Sequence, residues 1–160
     1  MVYPTLLGDF PAPTLRVYPV YTVIAEKYQA MVMLGQANSR MKDFFDLAVI
    51  ARRTELYGAT LAAAIAAIAA IAAIAAIAAT FARRQTALPI ERPSALTKQF
   101  SEDTVKLRQW QALQNKNRLE PESLGDTVAL LDDLLWPPTL VAAAGSQATA
   151  TWQPASQEWC

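Results

Sequence analysis

Apolar residues recur at helical spacing through most of the chain, and one charge interrupts the first stripe. Projected at about 100° per residue from Pro19, a residue that suits a first helical position, Val20, Ile24, Lys27, Met31 and Leu34 fall within about 80° of one another. Thr22, Glu26, Gln29 and Met33 take the opposite side. A lysine at the centre of an apolar stripe either snorkels to an edge or points into a cleft that holds an anion. Under either reading Lys27→Met is expected to keep the packing of the stem and leave stability unchanged or raised, and only the cleft reading expects weaker binding of the anion. Gly35 reads as the helix stop, and Asn38 and Ser39 as caps for a second helix that begins near Arg40. Phe44, Leu47, Ala48 and Ala51 form the buried stripe of that helix, which the pattern carries through Arg52, Arg53 and Leu56 to Gly58 as its terminator.

Leu61 to Ala79 is a run of 19 apolar residues, one leucine, five isoleucines and thirteen alanines, with the isoleucines in strict threes. Alanine predicts a helix, but a period of three displaces each isoleucine by about 60° and spreads the five over about 240°, so no buried face is specified. The segment reads as a low-complexity Ile-Ala-Ala expansion. Its length also suits a membrane span, although alanine is nearly neutral toward insertion and the flanking pairs Arg52-Arg53 and Arg83-Arg84 set no orientation. A soluble helix is the expectation, an inner-membrane helix the alternative.

Around these helices the pattern is coarser. Tyr3, Leu6 and Leu7, then Leu15, Val17 and Tyr18, suggest two short strands ahead of Pro19. Pro89 and Pro93 make a turn-rich linker of residues 86–93, and Ser94 or Thr97 starts a short turn. Ser101 is expected to cap a helix with Glu102 and Asp103 in its first turn, anchored by Trp110 and carrying Val105, Leu107 and Leu113. Lys106, Arg108, Lys116 and Arg118 give that helix a basic flank, either a solvated face or a contact surface for RNA or an antitoxin. Leu124 to Leu135 is the last predicted helix, stopped by Pro137-Pro138. After Thr139, Ala, Ser, Gln and Thr dominate, with Trp152 and Trp159 isolated, and disorder is predicted. The fold class is therefore mainly α, a helical bundle over residues 1–138 with a short N-terminal strand remnant and one long Ala/Ile helix, then a disordered tail over 139–160.

Composition narrows the chemistry. Fourteen basic and fourteen acidic residues cancel, so no global field gathers nucleic acid. The absence of histidine removes imidazole metal sites, imidazole bases and a Ser-His-Asp triad. One cysteine, Cys160, allows no intrachain disulfide, which points to a reducing cytoplasm.

What remains is the hairpin. Arg40 lies on the edge of the second helix, Asp43 about 60° further round and Asp46 about 60° beyond, so Lys27 from the first helix can meet Arg40, Lys42, Asp43 and Asp46 near the turn. With helix N-terminal amides added, such a group suits a polyphosphate. The plainer account is a helical hairpin with a snorkelling lysine and a Lys42–Asp46 surface pair worth about 0.3–0.5 kcal/mol.

Tyr18-Pro19, Ala25-Glu26-Lys27 and the N-S-R-x-K-D-x-x-D-L segment from Asn38 to Leu47 carry a resemblance. In order and spacing they resemble the AbiEii/AbiGii-type nucleotidyltransferase toxins of bacterial abortive-infection and toxin–antitoxin systems, with looser similarity from Tyr3 to Pro138. The resemblance implies transfer of a nucleoside monophosphate from an NTP, with Mg²⁺, to an RNA or protein acceptor, and a cognate antitoxin as partner. It assigns Lys27 to the triphosphate, Arg40 and Lys42 to phosphate, and Asp43 and Asp46 to the active site as acids or orienters. The chain also departs from the family. Two-metal phosphoryl chemistry needs clustered carboxylates, held in the family by a Gly-Ser turn and an Asp-x-Asp pair. Here the one Gly-Ser is Gly145-Ser146, and Asp132-Asp133 are adjacent and point about 100° apart on a helix. The expectation is a truncated, C-terminal portion with no metal ligands of its own, inactive alone. The alternative class is a non-enzymatic helical interaction protein or membrane-inserted helix.

Overall fold

The computed structural model describes residues 20–79, 88–89 and 91–160, the side chains of 71–79 excepted. The strands expected before Pro19, and part of the linker of residues 86–93, lie outside the described residues. Among the described residues, six α-helices and a small antiparallel sheet make a mainly α fold: α1 (Val20–Leu34), α2 (Met41–Arg53), β1 (Leu56–Tyr57), α3 (Gly58–Ala79), α4 (Lys98–Glu102), α5 (Thr104–Asn117), α6 (Leu124–Ala144), β2 (Thr151–Gln153) and β3 (Glu158–Trp159).

The buried face of α1 is Ile24, Ala25, Tyr28 and Met31. It is turned toward Ala25 and Tyr28 relative to the stripe read from sequence, because a small and an amphipathic residue both pack inward. Leu34 is consequently exposed, and Lys27 stands at the margin of the face and not at its centre. Gly35 ends the helix at φ +49°, and a Cβ there would come within 2.9 Å of the Ser94 hydroxyl.

Gly58 does not terminate α2. That helix ends at Arg53, Thr54 is extended, and Leu56–Tyr57 form the first strand. Gly58 instead opens α3 where a neighbouring backbone crosses: its N–H donates to the Ala150 carbonyl at 2.9 Å, and an added Cβ would lie 2.7 Å from that oxygen. α3 is one continuous helix. Tertiary packing gives it the face that its isoleucines do not define: Leu61, Ala62, Ile65 and Ala69 are buried, against α1 and α6. Alanines at the contact let the helix axes approach closely.

The helix starts after Pro93 are also displaced. Ser101 is not a cap; Thr97 caps α4 and Asp103 caps α5, its carboxylate accepting from the Val105 and Lys106 N–H groups. Of the apolar residues on α5, Trp110 is buried as its anchor, while Val105 and Leu107 face outward.

α6 is the central helix, with Leu131, Leu134 and Leu135 fully buried and contacts to α2, α3 and α4. Pro137-Pro138 do not stop it; it continues to Ala144, where Gly145 at φ +62° closes it. Pro137 has no N–H for the carbonyl of Asp133, and the Trp159 indole N–H donates to that oxygen instead, at 3.0 Å. Residues after Thr139 are likewise structured. β2 pairs with both β1 and β3, placing Trp152 opposite Leu56 and Trp159, and the Trp152 indole is fully buried and donates to the Ala51 carbonyl at 2.7 Å. Isolated tryptophans in a polar segment thus find their apolar surroundings in α2 and α6, which no local pattern reveals. Among the described residues α6 is the one helix long and apolar enough to cross a membrane, and it is the core helix of the bundle. The membrane reading of 61–79 extends over side chains outside those described.

Candidate phosphate-holding site

The turn between α1 and α2 brings together the five residues singled out from sequence. Lys27 Nζ donates to Asp43 Oδ1 at 2.6 Å and to Asp46 Oδ2 at 2.9 Å, so one ammonium bridges two carboxylates a turn apart on α2. Lys42 donates to both oxygens of Asp46, at 2.9 and 2.7 Å. Arg40 Nε stands 2.8 Å from Asp43 Oδ2, an ion pair whose angles fall short of a hydrogen bond. Helical spacing puts Asp43 and Asp46 on neighbouring rows of α2, and the lysine, at the margin of α1, has enough methylene stem to reach both.

Burial is graded across the cluster. Asp43 is 7% exposed at its side chain, Lys27 21%, Asp46 25%, and Lys42 74%. Three cations face two carboxylates, with Arg40 and Lys42 the exposed members of the group. Burial pushes the Asp46 carboxyl up, but hydrogen bonds from Lys42 and Lys27 outweigh it and hold the group below the usual carboxylate value. Burial pushes Lys27 down, and the bonds to Asp43 and Asp46 more than reverse this. Lys27 and Asp46 are therefore each held in the charged form, by one another and by Asp43 and Lys42 respectively.

As a donor set it does not fit Mg²⁺. An ammonium already sits where the two carboxylates converge, each acid carries a second cation, and no group of three His, Cys, Asp or Glu among the described residues can hold a metal ion. A polyphosphate suits it better, since phosphate oxygens can replace the carboxylates as acceptors for Lys27, Arg40 and Lys42.

The turn is held by residues that sequence reasoning placed elsewhere or undervalued. Asn38 is fully buried, and its Oδ1 accepts the Arg40 N–H at 2.8 Å, while its Nδ2 has no hydrogen-bond partner. An unpaired buried amide of this kind costs about 1–3 kcal/mol, so the turn needs support from outside itself. Lys106 supplies it. Expected on a basic flank, Lys106 is buried, and Nζ donates to the Asn38 carbonyl at 2.9 Å. Its spacing to Trp110 and Leu113, one buried and one half-buried, was the available signal: i, i+4 and i+7 share a helix face. Arg108, Lys116 and Arg118 remain exposed.

Residues 1–136 match the family described as nucleotidyl transferase AbiEii toxin, type IV TA system. No curated protein and no solved structure matches the chain.

Proposed function

The chain belongs to the AbiEii nucleotidyltransferase toxins of type IV toxin–antitoxin systems, and we propose that its α1–α2 hairpin is the part of such an enzyme that holds the nucleoside triphosphate. The observation that carries this is the bridging of Asp43 and Asp46 by Lys27, with Arg40 and Lys42 on the rim. Lys27 binds the triphosphate, Arg40 and Lys42 close on its phosphates, and Asp43 and Asp46 orient the three cations. The carboxylates hold Lys27 in place before substrate arrives, and the exchange of carboxylate for phosphate keeps the ammonium solvated by oxygen throughout. The reaction is transfer of a nucleoside monophosphate to an RNA or protein acceptor in the cytoplasm, under the control of a cognate antitoxin.

Mg²⁺ belongs to the family's chemistry, but the 160 residues contain no Asp-x-Asp pair, and the acids of the hairpin are already neutralised by cations. The chain by itself is therefore expected to bind NTP without transferring it. Calorimetric titration with each NTP at low salt tests binding: Lys27→Met should weaken it by about tenfold or more, the loss of one charge-assisted bond. Equal affinity in the two proteins would remove Lys27 from the site. Mg²⁺-dependent labelling of RNA or protein by the chain alone, abolished by Asp43→Ala, would overturn the expectation of inactivity.

A further inference from the structure

We propose that Lys106 is a positioning residue, whose buried ammonium clamps the Asn38 carbonyl and so sets the turn that brings Arg40 and Lys27 together on Asp43. The proposal rests on the reading of the hairpin as the triphosphate site. Lys106 lies on α5, 68 positions from Asn38 in sequence, yet the 2.9 Å contact between them is buried. A buried ammonium on a backbone carbonyl is a costly way to fill space, since an apolar side chain would pack without desolvating a charge. What the charge adds is direction. Asn38 is the pivot of the turn, with its carbonyl held by Lys106 and its side-chain oxygen holding the Arg40 N–H.

Two further contacts keep the clamp in register. The Lys106 ammonium lies 5.4 Å from the centre of the Phe100 ring, which stacks at 5.2 Å on Phe44, the residue after Asp43. Asp103 caps the first turn of α5, its carboxylate accepting from the Val105 and Lys106 N–H groups, which fixes the backbone from which the Lys106 side chain reaches Asn38. The start of α5 therefore holds the connection at Asn38, and movement of Lys106 moves the entry to α2, with Arg40 before it and Asp43 in its first turn.

The test compares wild type, Lys106→Met, Lys106→Arg and Trp110→Phe, a packing control on the same helix, in the full chain labelled with ¹⁵N at lysine and arginine. Lys106→Met should remain helical, shift the Lys27 ammonium and Arg40 Nε resonances, and weaken ATP binding by about tenfold. Lys106→Arg, which keeps a charged donor, should restore much of both, and Trp110→Phe should lower the unfolding midpoint without moving either resonance. Unshifted Lys27 and Arg40 signals in a folded Lys106→Met protein would overturn the proposal whatever its ATP affinity. Should that variant fail to fold, wild type decides: a slowly exchanging Lys106 ammonium signal is expected, and one exchanging with water as freely as that of the exposed Lys116 would overturn the clamp. If wild type itself binds no ATP, the triphosphate reading fails, and the resonance shifts still report whether Lys106 sets the turn.

Discussion

Lys27 shows how a residue read correctly as unusual can be misjudged energetically. Taken as a snorkelling charge, it is dispensable for stability; in the structure it is the shared partner of two carboxylates, one of them buried. Removing it leaves Asp43 and Asp46 facing one cation each, so Lys27→Met is expected to destabilise the fold by about 1–3 kcal/mol in urea unfolding, not to stabilise it. A double-mutant cycle with Asp43→Asn checks that the loss is shared between the two. The same groups set the pH response. Asp46, held below its ordinary 3.8, contributes stability that is present above that value and lost as pH falls through the folded value. Lys27, raised above 10.5, contributes stability that is complete below that value and lost as pH rises through its folded value. Burial raises the Tyr28 phenol from 10.0 to about 12, and because the unfolded phenol ionises first, stability falls across that interval. Urea midpoints should therefore decline below about pH 4 and above about pH 10, and Tyr28→Phe should soften only the alkaline decline. A Tyr28→Phe protein with an unchanged alkaline limb would refute that assignment.

At the scale of elements, the C-terminal hairpin and α6 depend on each other. Pro137 leaves the Asp133 carbonyl open, Trp159 takes it, and Trp152 fills the space beside Ala51. Trp152→Ala is accordingly expected to cost about 3–5 kcal/mol, as for a large core side chain, although it lies beyond the family-matched residues. A chemical-denaturation difference under about 1 kcal/mol would mean that the hairpin is ornamental. The repeat helix makes the opposite prediction. Its isoleucines, spaced in threes, specify no single buried face, so deleting three Ile-Ala-Ala units should leave the Lys27–Asp43 and Lys27–Asp46 contacts in place. Collapse of amide protection in α1 and α2 after that deletion would show that the expansion is part of the core.

For the whole molecule, helix content, the hairpin and its charged residues were legible because each rests on local rules: alanine and leucine favour helix, Gly35 at positive φ stops it, and residues three and four apart share a face. The family segment from Asn38 to Leu47 was legible for the same reason, as an unbroken run in which every spacing is short. Other features depended on partners far away in sequence. The passage of α6 through two prolines needs Trp159, the order of the last residues needs the wall formed by Ala51 and Leu56, the face of α3 needs α1 and α6, and the burial of Lys106 needs Asn38. The sequence by itself determined which residues carry charge into the hairpin and that they lie within reach of one another. Only the tertiary structure decided that Lys27 joins both aspartates and that Lys106 holds the turn between them, because a hydrogen bond to a distant backbone carbonyl depends on where that carbonyl lies and not on which residue bears it.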